Sequence, residues 1–582
     1  MSSPAHEEAV CLRHLSFSYA AGHDGPALYD VSLTVQRGEM VVIMGATGAG
    51  KTTLAKCLNR VIPMFQPGVL SGEICLFGRV LREESVADLA GLIGLVSQDF
   101  EAQLFATNVV QEVVFGMEQL GLPADEMRPR LAHALQAVGL YGFEARDPAT
   151  LSGGEKQRLA IAATLALQPS IMVFDEPTTD LDPVGKLEIF AVLAAMRRQG
   201  YTLIVIEHEI AAAECADRLL IMSHGRIVAD DAPARVLARV DFLRQHGVRA
   251  PDLSRLAARL GLHPPPLSLD EAEAMVRNRK SEVSSQESEV RSQEIEEEHS
   301  SRTFHISLLT SHRSPAIPPL LSVDDVSFSY EPDGDLALDR VSLTIRAGEF
   351  LAIIGQNGSG KTTLAKHLNG LLSPSAGRVY LRGVDVRSLP INAVAADVGY
   401  VFQNPDHQIF AATVYDEVAF GPRNFSLPAA ETDERVRMAL DAVGLVGLER
   451  DDPFLLGKGQ RQRLAVASLL ALRPRLLILD EPTTGLDYPE QQRMMDLIAQ
   501  LHTQGMAIVI ITHTPWVVAE YARRGVLMAG GRILVDAPLR TLFAQGALLE
   551  QAHFCAPDIT RLGRRFGVTP LSVEEFAKLI VG

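Results

Sequence analysis

The chain is 582 residues long, 47% hydrophobic and 21% charged, with a formal charge of −17. At ~150 residues per domain that length allows four domains or two large ones, and the acidic balance argues against a general nucleic-acid coat protein, whose surface would be basic. Five scattered cysteines with no Cys-x-x-Cys pair exclude a zinc framework and a disulfide scaffold and fit a reducing cytosol; the chain does not open like a secretory signal, and no apolar run reaches the ~18 residues of a membrane span.

The first predicted elements are strands. SFSY at 16–19 closes an alternating stretch, and MVVIMG at 40–45 is a short apolar run ending in glycine. It leads into Gly45-x-x-Gly48-x-Gly50-Lys51-Thr52-Thr53, which fits the phosphate-binding pattern Gly-x4-Gly-Lys-Ser/Thr. In that pattern the glycines let successive backbone N–H groups converge on one anion. The lysine reaches the β- and γ-phosphates, and the following hydroxyl holds Mg2+. A strand precedes the pattern and a helical stretch follows, which is the context it requires.

VSQDFEAQLFATNVVQEVVFG at 96–116 comes next, then LSGGEKQRLA at 151–160. IMVFDEP at 171–177 reads as a buried strand that ends in Asp175 and Glu176. An aspartate there suits Mg2+ held through water, and the adjacent glutamate can orient or polarise the attacking water for in-line phosphoryl transfer. KLEIFAVLAAMRRQG at 186–200 is helical in pattern, and TLIVIEH at 202–208 is a strand running into His208. Buried parallel strands with chemistry at their carboxyl ends read this way, so an α/β sheet is expected. A short, partly amphipathic tail occupies 250–277.

SEVSSQESEVRSQEIEEEHSS at 281–301 is rich in Glu and Ser, and SPAIPPLL at 314–321 follows. That composition predicts an acidic flexible linker over 279–318, with an r.m.s. reach of roughly 35 Å. The other reading is a short surface helix with its glutamates facing water.

Beyond it the chain repeats. SFSY returns at 327–330, GQNGSGKTTLAKHLN at 355–369, LLILDEP at 476–482, AIVIITH at 507–513 and APDITRL at 556–562, against APDLSRL at 250–256. An offset of about 305 to 310 residues throughout marks a duplicated unit, not a solenoid.

With these residues in place, the chain resembles the ATP-binding cassette (ABC) ATPases. LSGGEKQRLA is similar to their signature, and the likeness covers nearly all of both halves outside the linker and the extreme termini. The resemblance implies an α/β fold of two tandem P-loop NTPase cassettes, at 8–245 and 319–550, each with a small C-terminal subdomain, at 246–278 and 551–582. It implies ATP hydrolysis with Mg2+. Tyr19 and Tyr330 match the aromatic that stacks on adenine. The phosphate loops comprise Gly45, Gly48, Gly50, Lys51, Thr52 and Thr53, and Gly355, Gly358, Gly360, Lys361, Thr362 and Thr363. Gln98 and Gln403 match the glutamine that senses Mg2+ and the transporter partner, and also bind the nucleotide. The implied Mg2+ sets are Thr52, Gln98 and Asp175, and Thr362, Gln403 and Asp480. Glu176, Glu481, His208 and His513 take the catalytic positions, and Asp182 and Asp487 the D-loop. In this family each ATP lies between one cassette's phosphate loop and the other's signature. With both cassettes on one chain, the implied ATPase dimer is intramolecular.

The two signatures differ. Aligned on Gln157-Arg158-Leu159 and Gln462-Arg463-Leu464, Ser152-Gly153-Gly154-Glu155 stands against Gly457-Lys458-Gly459-Gln460. A lost hydrogen bond to a charged group is worth roughly 1.5–3 kcal/mol, part of which the Lys458 charge can recover. By the head-to-tail rule the altered signature serves the first phosphate loop, so a slower or weaker first site is expected. The alternative is that backbone N–H groups dominate and the change is silent.

Gln-x4-Gln-hydrophobic-Phe followed by Glu-Val-x-Phe-Gly closely resembles the ATPase subunits of energy-coupling factor (ECF) importers, including the cobalt and vitamin types. This implies work at the cytoplasmic face of a cell membrane, energising uptake of a vitamin, a vitamin precursor, or a Co or Ni ion. The implied partners are a transmembrane coupling protein and a small substrate-binding membrane protein, with no nucleic acid. Gln103-Leu104-Phe105 and Gln408-Ile409-Phe410 are expected to present apolar side chains to a partner helix. Two rivals are weaker. Soluble tandem cassettes acting on ribosomes or nucleic acid usually carry a basic linker, and this one is acidic. A drug-exporter ATPase would lack the Gln-x4-Gln-x-Phe stretch.

Overall fold

The computed structural model describes residues 7–20, 25–179, 181–331 except 292–318, and 334–581, with side chains from 281 to 291 left aside. Two compact units divide it, 1–254 with 484–492, and 255–483 with 493–582.

The first unit is built on two sheets. β1 (Glu8–Tyr19), β2 (Leu28–Gln36), β4 (Gly68–Leu76) and β5 (Arg79–Val80) form an antiparallel sheet in the order β2-β1-β4-β5. The other sheet runs β10-β9-β3-β8-β7-β6, from β3 (Met40–Met44), β6 (Ile93–Val96), β7 (Ile171–Asp175), β8 (Thr202–Ile206), β9 (Arg218–Ser223) and β10 (Arg226–Asp231). Its strands are parallel except for β10, an antiparallel edge. Every residue of β3, β7 and β8 is buried, as expected of strands covered on both faces. Leu12, Phe17, Val31, Ile43, Leu54 and Ile204 belong to one core that joins the two sheets.

The second unit repeats the plan. β11 (Leu321–Phe328), β12 (Leu338–Ile345), β14 (Ala376–Leu381) and β15 (Val384–Asp385) form the antiparallel sheet. The mixed sheet has the order β16-β17-β18-β13-β19-β20. It contains β13 (Phe350–Ile354), β16 (Val398–Val401), β17 (Leu476–Asp480), β18 (Ala507–Ile511), β19 (Arg524–Ala529) and β20 (Arg532–Pro538). The fold is thus α/β in both halves. Sequence patterning missed the antiparallel sheets and the hairpins at the sheet edges, because their half-exposed strands lack a continuous apolar run.

The predicted strands are shorter than their apolar runs suggest. β7 stops at Asp175 and β8 at Ile206, so Glu176 and His208 lie just beyond the strands. The second unit also contains the helix Leu269–Arg291, which runs through position 279, where the linker was expected to begin. Lys, Arg, Glu and Gln favour helices, and here that propensity carries the chain twelve residues further, to Arg291. The rest of the expected linker, 292–318, lies outside the described residues. The start of this helix packs within the second unit: Asp270 and Glu273 pair with Arg565 at 2.6 and 2.9 Å, and Arg277 sits 5.0 Å over the Phe566 ring. Among the described residues no helix is long and apolar enough to cross a membrane.

Candidate functional site

Strand order assembles the site. In the first unit β3, β8, β7 and β6 lie side by side and parallel, so their carboxyl ends share one sheet edge. That edge collects the phosphate loop after β3, His208 after β8, Asp175 and Glu176 at the end of β7, and Gln98 after β6. Ligands of open α/β sheets bind at such an edge.

The phosphate loop is wound from glycine conformations. Gly45 has φ 152°, and a Cβ there would lie 2.2 Å from the Met222 carbonyl oxygen. Gly50 has φ 98° and a Cβ would meet the Ala27 carbonyl at 2.5 Å; it is the N-cap of the helix Lys51–Leu58, which points its open N–H groups into the loop. Lys51 is buried, and its Nζ donates to the carbonyls of Gly45 at 2.8 Å and Ala46 at 3.0 Å. Burial lowers its pKa, and the charge of Glu176 opposes this. Lys361 makes the equivalent pair of bonds to Gly355 and Gln356, both at 2.8 Å.

Thr52 Oγ1 donates to Asp175 Oδ1 at 3.1 Å. Burial, then the neighbouring Glu176, push the Asp175 carboxyl up to about 6, while Thr52 and Lys51 pull it down. A buried carboxylate beside a hydroxyl, with a glutamine and a second carboxylate at hand, is a hard oxygen donor set, and it fits Mg2+. Gln98 Nε2 donates to Glu176 Oε2 at 2.8 Å, and His208 Nε2 lies 2.9 Å from Glu176 Oε1. Burial raises the Glu176 pKa, but the bond and charge of His208, with Lys51, outweigh it and keep the carboxyl below its usual range.

Glu176 has φ 51° and Glu481 φ 49°. Such a left-handed backbone is uncommon for glutamate and costs of order 1–3 kcal/mol, which the surrounding structure must offset. Each is anchored by its own N–H, Glu176 to Ile206 O and Glu481 to Ile511 O, both at 2.9 Å.

The second unit repeats the arrangement with a difference. His513 Nδ1 lies 2.9 Å from Glu481 Oε1, and His513 outweighs burial to hold Glu481 below its usual range. Asp480 is raised by burial, and Thr362 and Tyr400 both oppose this by hydrogen bonding to it. Tyr400 Oη donates to Asp480 Oδ2 at 2.9 Å from β16, where the matching residue of β6 is Leu95. Tyr400 itself is pushed upward by burial and by the Asp480 charge. Sequence reasoning missed this tyrosine, since only the neighbouring strand brings it to Asp480. Gln403 is exposed on the loop after β16. The expected adenine-stacking tyrosines are tied to the phosphate-loop helices, Tyr19 to Thr53 at 3.0 Å and Tyr330 to Thr363 at 3.1 Å.

The signature residues start helices. Ser152 caps Gly153–Leu165: its Oγ accepts from Glu155 N at 3.3 Å while Glu155 Oε2 accepts from Ser152 N at 2.8 Å. At Gly457, before Lys458–Leu470, only the second half of that box has atoms to form it, Gln460 Oε1 accepting from Gly457 N at 3.0 Å. Asp182 accepts from Gly185 N at 2.8 Å and Asp487 from Glu490 N at 2.9 Å, so both D-loop aspartates are helix caps.

The expected apolar stretches split. Ile409 is buried and so does not present itself to a partner, whereas Leu104 is half-buried. Phe105 and Phe410 point outward, 62% and 59% exposed. Each has an exposed aromatic neighbour, Phe115 at 4.6 Å and Phe420 at 4.7 Å between ring centroids. Glu112 and Glu417, both buried, fix these loops. Glu112 Oε2 accepts from Phe105 N and Ala106 N at 2.9 and 2.8 Å, and Glu417 Oε2 from Phe410 N and Ala411 N at 3.0 and 2.9 Å.

A family model described as ABC transporter matches residues 28–179 and 338–484. A protein of Caldanaerobacter subterraneus subsp. tengcongensis, provisionally named an ABC transporter ATP-binding protein, is 44% identical over 571 residues, spanning 98% of this chain and 98% of its own. A Methanosarcina acetivorans protein with the same provisional name is 39% identical over 565 residues, spanning 96% of this chain and 91% of its own. A solved structure, cbiO1 from Clostridium perfringens, described as part of the ABC transporter complex cbiONQ, is 34% identical with a TM-score of 0.38, covering 43% of this chain and all of that one.

Proposed function

Because the chain belongs to the ABC transporter family of ATP-binding proteins, we propose that it is the ATPase subunit of an ECF-type importer that draws a micronutrient across a membrane. ATP is its substrate, Mg2+ its cofactor and hydrolysis its reaction. Thr52, Asp175 and Gln98 in one half, and Thr362, Asp480 and Gln403 in the other, would hold Mg2+, which supplies charge neutralisation at the phosphates. Glu176 and Glu481, kept ionised by their histidines, accept the proton of the attacking water. The phosphate-loop lysines and N–H groups hold the phosphates, and Tyr19 and Tyr330 stack on adenine.

The observation that carries the transport reading is the outward aromatic pair beside each glutamine loop. Two exposed phenylalanines, on a loop whose backbone N–H groups donate to one oxygen of a buried glutamate, make a preformed apolar knob that a coupling helix can cover. The test is to purify the chain from native membranes in mild detergent, with and without Phe105→Ser plus Phe410→Ser, and to identify what accompanies it. Small hydrophobic membrane proteins should come with the native chain and be lost from the double variant, while ATP turnover of the isolated chain is unchanged. Ribosomal proteins or nucleic acid in place of a membrane partner, or full retention of that partner by the variant, would overturn the reading.

The Tyr400–Asp480 bond gives a separate expectation. Partners of metal-holding carboxylates are worth roughly 10- to 100-fold in metal affinity. Tyr400→Phe should therefore weaken Mn2+ binding to one of two ATP-dependent sites, seen by electron paramagnetic resonance as a new weak class of bound ion.

A further inference from the structure

Glu207 stands between β8 and His208 and is 2% exposed, yet it carries a carboxyl group. Four donors converge on it. Oε1 accepts from Thr178 N at 3.0 Å and from Thr178 Oγ1 at 2.5 Å, and Oε2 accepts from His208 N at 2.8 Å and from Glu209 N at 3.2 Å. An ionised carboxylate has about four lone-pair positions, so this group is fully used, and each bond is to a donor. Burial, helped by the neighbouring Glu209 charge, raises the Glu207 pKa against the opposing bonds to Thr178 and to His208 N.

The four bonds close a ring. On one side the His208 imidazole meets the Glu176 carboxylate at 2.9 Å. Thr179 Oγ1 donates to the same carboxylate at 3.2 Å. On the other side Glu207 joins the His208 main chain to Thr178, two residues beyond Glu176. The imidazole can meet Glu176 at a fixed distance only if both backbones are fixed; the Glu176 N–H bond to Ile206 O ties them at one point, and Glu207 adds a second tie through its side chain.

The second half is built otherwise. Thr512 takes the place of Glu207, and its hydroxyl accepts from Thr514 N at 3.0 Å. A hydroxyl has two acceptor positions and a shorter reach, so it cannot make the four-bond bridge. Sequence alignment of the halves shows Glu against Thr and no more. Burial, and the direction of the four donors, give the glutamate its role.

We propose that Glu207 is a positioning residue that locks the His208 main chain to the loop behind Glu176, so that the first half holds its histidine–glutamate pair by a device the second half does not have. It is buried, with its oxygens engaged by Thr178 and by the His208 and Glu209 N–H groups, and it acts through His208 and Glu176.

The test uses the full chain in two backgrounds, Glu481→Gln, which leaves turnover to the first half, and Glu176→Gln, which leaves it to the second. Glu207→Thr installs the residue of the second half. In the Glu481→Gln background kcat should fall by ~10- to 100-fold, the scale of a misplaced catalytic pair, with KM for ATP little changed. In the Glu176→Gln background the same substitution should leave kcat where it was. An equal fall in both backgrounds, a rise of KM that accounts for the loss, or no loss at all would each sink the proposal. If Glu207→Thr gives no folded chain, Thr178→Val decides by the same comparison. It removes one of the four donors at nearly constant shape, and it should produce a smaller fall confined to the Glu481→Gln background.

Discussion

Glu176→Gln combined with Glu481→Gln is expected to lower ATP turnover by ~10³-fold while the chain still binds ATP, because general-base help is worth roughly 10²- to 10⁴-fold and the phosphate loops are untouched. Glutamine keeps the shape and can still meet His208 or His513, so the left-handed backbone at each position is preserved. It cannot take up a proton. The single variants should be unequal. The signature of the second half lacks the Ser152 hydroxyl and carries Lys458, and the slower first site expected from this makes Glu481→Gln the costlier change. Steady-state ATPase rates of the two single variants and the double, with nucleotide binding measured in parallel, decide it. Equal single losses would remove the asymmetry, and an active double variant would remove both glutamates from the chemistry.

The second large effect concerns stability as much as activity. Burial drives the Asp175 carboxyl up to about 6, against an ordinary value near 3.8. Between those two values the folded chain holds a proton that the unfolded chain releases. Stability therefore falls as pH rises through this window, and the full cost is present at neutral pH, at about 2–3 kcal/mol. Asp175→Asn removes the charge and still leaves an acceptor for Thr52 Oγ1. In buffer free of metal and nucleotide its thermal midpoint at pH 7.5 should exceed that of the parent by several degrees, roughly 2–4 °C per kcal/mol in a unit of this size. At pH 5, inside the window, about half of the gain should vanish. The added stabilisation that the parent receives from Mg2+ and ATP should be reduced, since the carboxylate that would take the cation is gone. A lower midpoint at pH 7.5, or the same gain at both pH values, would show that the burial cost is not what limits this unit.

How much of this was legible beforehand depends on what each residue needs. The phosphate loops could be read directly, because glycine spacing, lysine and hydroxyl are local requirements and each loop follows an apolar strand. The mixed sheets were legible in their central strands, whose residues are buried on both faces and leave an unbroken apolar run. The antiparallel sheets were not, since β1 and β2 alternate irregularly around register shifts. Tyr400 and Glu207 escaped for a related reason. One acts across strands, β16 to β17, and the other across loops 29 residues apart, so neither leaves a local trace. Ile409 was misjudged because apolar character alone does not say which of two adjacent side chains faces outward. The start of the linker was set too early because an acidic, serine-rich composition suits a solvated helix, the other reading of this stretch, as well as a coil.

The helix Leu269–Arg291 has a consequence for how such a chain comes to exist. In covalent order it is the tail of the first half, but it packs with the helices Asp558–Arg565 and Val573–Val581 near the carboxyl terminus. Arg565 reaches it through two carboxylates. A gene split after codon 300 would therefore yield two polypeptides in which the end of the first is a structural part of the second. The contacts of Asp270, Glu273 and Arg277 with Arg565 and Phe566 would then lie between two chains. Fusion turns that contact into an intramolecular one, at high effective concentration and with equal dosage of the halves.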